Sequence, residues 1–298
     1  MLDLIIQQLK KSNEKSIFLS QEKLINQTNI NITQILIHYQ SMPNSTITLT
    51  LGDCAENHVR MQTLGEISDS GFTLIHLRSA KKWFDKLGAK SVIYDLNWPL
   101  EHMSVTPDSK AYVLVVRQGV NYLLQPKTAD DLMAEQINLP WDTKAFMYGK
   151  VVNKHARHNL CYTETSQEPD YANGKGRVIA LNQVPLLKKL IERIPKIVGP
   201  IGQNLVAEGN YYYDITKCGI GFHGDTERKK VIGIRLGESI PLEYQWFHNL
   251  KPVGDRMRIM LCHGDIYFMS EKATGNDWKK RITYTLRHAA GAEKFLAI

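Results

Sequence analysis

His223 and Asp225 stand one residue apart in the stretch Gly219-Ile-Gly-Phe-His-Gly-Asp-Thr-Glu-Arg228. Successive side chains of an extended backbone alternate between faces, so this spacing puts an imidazole and a carboxylate on the same side. Such a pair supplies two of the three ligands of a facial triad, which leaves open positions on iron(II) for a co-substrate and oxygen. An HxD triplet alone is a weak signal. A strand-and-turn pattern before it and the β-rich run Val231-Ile-Gly-Ile-Arg-Leu-Gly237 after it strengthen the reading.

Two other clusters carry chemistry-bearing side chains. Lys154-His155-Ala156-Arg157-His158 has the charge to grip phosphates, or reads as a solvated basic loop; no cysteine or histidine at finger spacing completes a zinc site there. Gly52-Asp53-Cys54-Ala55-Glu56-Asn57-His58 follows the β-rich run Thr46-Ile-Thr-Leu-Thr-Leu51. Cys54 with His58 has the makings of a thiol nucleophile, although a helix N-cap at Asp53 is the plainer reading. The four cysteines are scattered without a CxxC pair, which argues against a disulfide framework and a zinc ribbon.

The elements that must position these residues divide into two styles. Helical spacing marks residues 2–11 and 21–28, with a third helix at about 31–39. After the strand at 46–51, helices are expected at about 55–64 and 80–87 and at 128–137, with strands at 72–77, 91–95 and 111–117. This alternation predicts a small α/β domain over residues 1–140. Beyond a polar stretch at 153–177 and a helix at 184–197, short strands and turns dominate, as in a barrel or sandwich. The fold class expected is therefore α+β, with the all-β part over 141–298.

The chain has 298 residues, 43% of them hydrophobic and 22% charged, and a net charge of +7. That is the composition of a globular protein, and the positive balance permits a polyanionic partner. No apolar run nears the roughly 18 residues that span a bilayer. The N-terminal residues lack the order of a signal peptide, so an intracellular location is expected.

The stretch 210–237 resembles the core of the AlkB-like iron(II)/2-oxoglutarate dioxygenases, and the resemblance extends over about 146–298. An N-x-Y element, Asn210-Tyr211-Tyr212, precedes HxD; an acidic residue, Glu227, follows it; then come Ile234-Arg235-Leu236-Gly237 and Leu261-Cys262-His263-Gly264-Asp265. Upstream, Tyr148-Gly149-Lys150 through Arg157 is similar to the family's Y-G-K start and basic substrate-binding lid. The resemblance implies a double-stranded β-helix (jelly-roll) domain with flanking helices. It implies iron(II) and 2-oxoglutarate as cofactors, Asn210 and Tyr212 as co-substrate contacts, and Glu227, Arg157 and Lys154 at the substrate. The implied reaction hydroxylates or demethylates a nucleic-acid base; a protein side-chain hydroxylase, or a metal-free relative that only binds nucleic acid or a partner, are the alternatives.

Two departures leave choices open. The family's distal histidine window is empty of histidine here, so the third ligand falls to His288, with His263 as rival. The basic residue that clamps 2-oxoglutarate is Arg281 or Arg287, which reproduce the family's R-x5-R spacing, or else Arg235 or Lys294.

Overall fold

The computed structural model describes residues 44–298, which form one compact unit. The helices expected at 2–11, 21–28 and 31–39 lie outside the described residues.

Among the described residues, sixteen strands run in chain order: β1 Thr46–Gly52, β2 Cys54–Glu56, β3 Thr63–Gly65, β4 Ser91–Asp95, β5 Tyr112–Val116, β6 Lys144–Met147, β7 Lys150–Asn153 and β8 His158–Thr163. They continue with β9 Val178–Ala180, β10 Val206–Tyr212, β11 Gly219–His223, β12 Val231–Gly237, β13 Ile240–His248, β14 Lys251–Leu261, β15 Ile266–Met269 and β16 Thr285–Gly291. The principal helices are α1 Leu74–Lys86, α2 Gly119–Leu124, α3 Ala129–Ile137 and α4 Pro185–Val198. Eight strands form a large sheet in the order β4-β5-β15-β12-β1-β10-β8-β9, and four form a second sheet in the order β11-β16-β13-β14. The fold is mixed α+β, dominated by the large sheet.

Strand β1 shows why the layers form. Its sequence, TITLTLG, alternates, so Ile47, Leu49 and Leu51 share one face and Thr46, Thr48 and Thr50 the other. The aliphatic face joins a core built with Leu77 and Phe84 of α1, Leu123 of α2, Leu132 of α3 and Leu190 of α4. On the opposite face of the large sheet, Val115, Val231, Tyr267 and Met269 pack with Leu242, Tyr244, Trp246 and Leu286 of the second sheet. Helices thus cover one face of the large sheet, and the small sheet covers the other.

The separate α/β domain expected over 1–140 does not stand apart in the described residues. Strand β1 lies between β12 and β10, pairing Thr48 with both Arg235 and Asn210, while β5 pairs with β15. Strand pairing depends on distant partners, so alternation of local patterns could not reveal the shared sheet. Residues expected as a helix at 55–64 instead form the hairpin of β2 and β3. Asp53 does not cap a helix: its carboxylate accepts the backbone N–H groups of Ser68, Lys229 and Lys230. The strand expected at 72–77 gives way to α1, which is capped by Thr73 and starts at Leu74 rather than at residue 80; the Thr73 N–H donates to His76 Nδ1 at 3.0 Å.

No helix among the described residues is long and apolar enough to cross a membrane.

Candidate metal centre

His223 ends β11, and His288 lies opposite it on the paired strand β16. Asp225 follows in the loop after β11, held by its backbone N–H to the Thr274 carbonyl at 3.0 Å. Gly224 between the two ligands permits this turn: a Cβ there would lie 2.0 Å from the Gly275 carbonyl oxygen, closer than any side chain can approach.

One ligand atom from each of His223, Asp225 and His288 falls within 4.8 Å of the others. Asp225 Oδ1 is 3.5 Å from His223 Nε2 and 3.7 Å from His288 Nε2. His223 Nδ1 contacts the Gly221 carbonyl at 2.8 Å, which turns Nε2 toward the cluster. Burial opposes the Asp225 charge, but Arg228 and the two histidines outweigh it and hold the carboxyl well below the usual range. Burial, with help from His223, pushes His288 down to about 3, so its imidazole is neutral and ready to act as a ligand.

His263, the rival third ligand, lies elsewhere: its Nδ1 accepts the Gly237 N–H at 2.9 Å and its Nε2 is 3.3 Å from Asp130.

The cluster opens into a cavity of about 590 Å³ lined from both sheets. Thr48, Thr50, Glu208, Asn210, Tyr212, Arg235 and Tyr267 come from the large sheet. Arg235 is 1% exposed, and its Nε and one terminal nitrogen have no hydrogen-bond partner. Burial works against its charge, and Tyr267 and Tyr212 are near enough to counter it in part. A buried guanidinium with free donors and no paired carboxylate is costly unless an anion joins it.

The other basic candidates lie off the cavity. Arg287 stacks on Phe247, with its guanidinium carbon 3.9 Å from the ring centre, and on Trp278. Arg281 is exposed, and Lys294 lies over the Phe295 ring. His288 and Arg287 are consecutive on β16, so they face opposite sides of the sheet. The R-x5-R spacing therefore points away from the cluster.

Among the other expected contacts, Tyr212, Glu227 and Arg157 line the cavity. Asn210 also lines it, but its Oδ1 already accepts Arg157 Nε at 2.6 Å and Asn159 Nδ2 at 2.8 Å, while its Nδ2 donates to Glu208 at 2.9 Å. It orients its neighbours rather than offering a vacant carboxamide oxygen. Lys154 is not a phosphate grip: it is buried, and its Nζ donates to the Asn57 carbonyl, Asn57 Oδ1 and Asn159 Oδ1. Cys54 is no nucleophile either, since burial and Asp53 push its thiol up to about 11.

The sequence did not single out Thr48, Thr50 or Tyr267, which also line the cavity. The strict alternation of TITLTL was the available signal for the threonines, because a helix-covered aliphatic face leaves a polar face looking elsewhere.

No protein-family model matches the chain. An uncharacterized protein of Acanthamoeba polyphaga mimivirus is 54% identical over 251 residues, covering 84% of this chain and 97% of the viral protein. At that identity and coverage, the chain belongs to the same family as the mimivirus protein.

Proposed function

We propose that this protein is an iron(II)- and 2-oxoglutarate-dependent oxygenase of the double-stranded β-helix type, acting on a nucleic-acid base. The observation that carries the reading is the convergence of His223, Asp225 and His288 in a cavity lined from both sheets. Two imidazoles and one carboxylate are the donor set that suits iron(II) while leaving positions open. The unpaired Arg235 guanidinium suits the second requirement, a carboxylate-bearing co-substrate.

When bound, iron(II) with 2-oxoglutarate and oxygen supplies oxidative hydroxylation of a C–H bond, with release of succinate and carbon dioxide. The chain's own residues position and shelter that chemistry. Arg235 would take the remote carboxylate of 2-oxoglutarate in its planar fork, beside the Tyr212 and Tyr267 hydroxyls. Val231, Leu242, Met269 and Ala290 give the cavity apolar walls that exclude water.

The nucleic-acid substrate is supported by the cavity mouth. Arg157 and Lys279 line it, and the β6–β7 hairpin beside Met147 exposes Lys144 and Lys150, with Tyr148 at its tip 88% exposed. Cations that track phosphates and an aromatic ring that stacks on a base are the usual means of holding an unpaired nucleotide.

The test is anaerobic addition of iron(II) and 2-oxoglutarate to the purified protein, then oxygen and single-stranded oligonucleotides carrying methylated bases. A visible charge-transfer band, succinate release and a base mass lowered by one CH2, with the carbon released as formaldehyde, are expected. Absence of both band and succinate would leave a binding protein instead. Succinate formed without change in any oligonucleotide, but with a hydroxylated protein or peptide, would move the substrate to protein side chains.

A further inference from the structure

The two carboxylate oxygens of Asp225 face different neighbours. Oδ1 points between the histidines, whereas Oδ2 lies 3.8 Å from Arg228 Nε. Arg228 is 2% exposed and stands among three carboxylates. Its terminal nitrogen donates to Glu208 at 2.5 Å and to Glu227 at 2.7 Å, and its Nε donates to Glu227 at 3.0 Å. Glu208 is itself anchored on β10, accepting the Glu56 N–H at 3.2 Å and the Asn210 amide. The guanidinium is thus held both from β10, through Glu208, and by its own loop, through Glu227.

We propose that Arg228 is a positioning residue of the metal centre, which restrains Asp225 Oδ2 so that Oδ1 alone is presented between His223 and His288. The proposal rests on the reading of the triad as a metal site and concerns how that site is kept open. An aspartate free to rotate offers both oxygens and chelates, filling a position that a co-substrate needs. Turning Asp225 in this way would carry Oδ2 away from Arg228 and weaken one charge contact of a buried cation, and burial makes such losses large. Groups behind the ligands commonly set ligand orientation in this manner, and their loss weakens metal affinity about 10- to 100-fold. Arg228 follows Asp225 by three residues, and Glu227, which lines the cavity, lies between them. The same guanidinium therefore ties the ligand loop to the wall where a substrate would lie.

Cobalt(II), whose visible absorption reports coordination number and geometry, is the probe. Full-length wild type, Arg228→Met, Arg228→Lys and Glu208→Gln are titrated with cobalt(II), and thermal unfolding of the metal-free forms is recorded in parallel. Wild type is expected to bind one cobalt(II). Arg228→Met is expected to bind at least about tenfold more weakly with an altered band, and Arg228→Lys to recover part of both. Glu208→Gln, which loosens the anchor and leaves the ligands and Arg228 in place, is expected to shift the band in the same direction by less. If Arg228→Met fails to fold, an unchanged affinity and band in Glu208→Gln and Arg228→Lys overturn the proposal. A folded Arg228→Met with the wild-type affinity and band overturns it directly. No cobalt(II) bound by wild type overturns the metal reading itself.

Discussion

Arg235 separates the possible uses of the cavity more sharply than any other side chain. It is buried, partly unpaired and directed into the cavity that holds the triad, whereas Arg281, Arg287 and Lys294 are elsewhere. Arg235→Met is expected to raise the 2-oxoglutarate concentration needed for half-maximal succinate release by about 10- to 100-fold, consistent with the loss of a charge-assisted bidentate bond. Its metal affinity should stay at the wild-type value, and the two numbers together test the assignment. An Arg287→Met variant with the larger effect would transfer the role to β16. The sequence left this choice open because R-x5-R is a one-dimensional spacing. Residue parity on β16, with His288 facing the cavity and Arg287 stacked on Phe247, is what decides against it.

At the scale of elements, the site depends on close contact between β12 and β15. Gly233 pairs with Tyr267 across these strands, and a Cβ at Gly233 would come 1.9 Å from the tyrosine ring. Gly233→Ala is therefore expected to destabilise the protein by about 1–3 kcal/mol and displace the ring beside Arg235. Denaturant melts should register the first effect, and weaker 2-oxoglutarate binding the second; a variant that melts and binds like wild type would refute the arrangement. The β-rich run Val231–Gly237 was legible from sequence as a strand, since alternation and glycine punctuation are local signals. The hairpin of β2 and β3 was not legible. Its form depends on Asp53 gathering backbone N–H groups from residues as distant as Lys229 and Lys230, which no local pattern records.

At the scale of the molecule, the expected division at residue 140 gives way to one shared sheet. Strand β1 sits between β10 and β12, and its Leu49 pairs with Gly209 on one side and Ile234 on the other. A fragment containing only residues 141–298 would expose the edges of β10 and β12 and the apolar face left by β5 beside β15. Such a fragment is expected to lack a cooperative thermal transition and to bind no cobalt(II), although it carries His223, Asp225 and His288. Calorimetry and metal titration of the fragment would check this, and a cooperative melt with metal binding would restore the two-domain division. The triad's first two members were legible because they adjoin in sequence. The part of the cavity wall formed by β1 was not, since it comes from the other end of the described chain.

That separation governs the order of assembly during synthesis. Thr48 and Thr50 are translated well before His288. A nascent chain therefore holds an early strand awaiting neighbours made more than a hundred residues later, and the three residues of the cluster cannot come together until β16 has been made. Premature termination anywhere before β16 would leave the cluster without His288 and β11 without its paired strand.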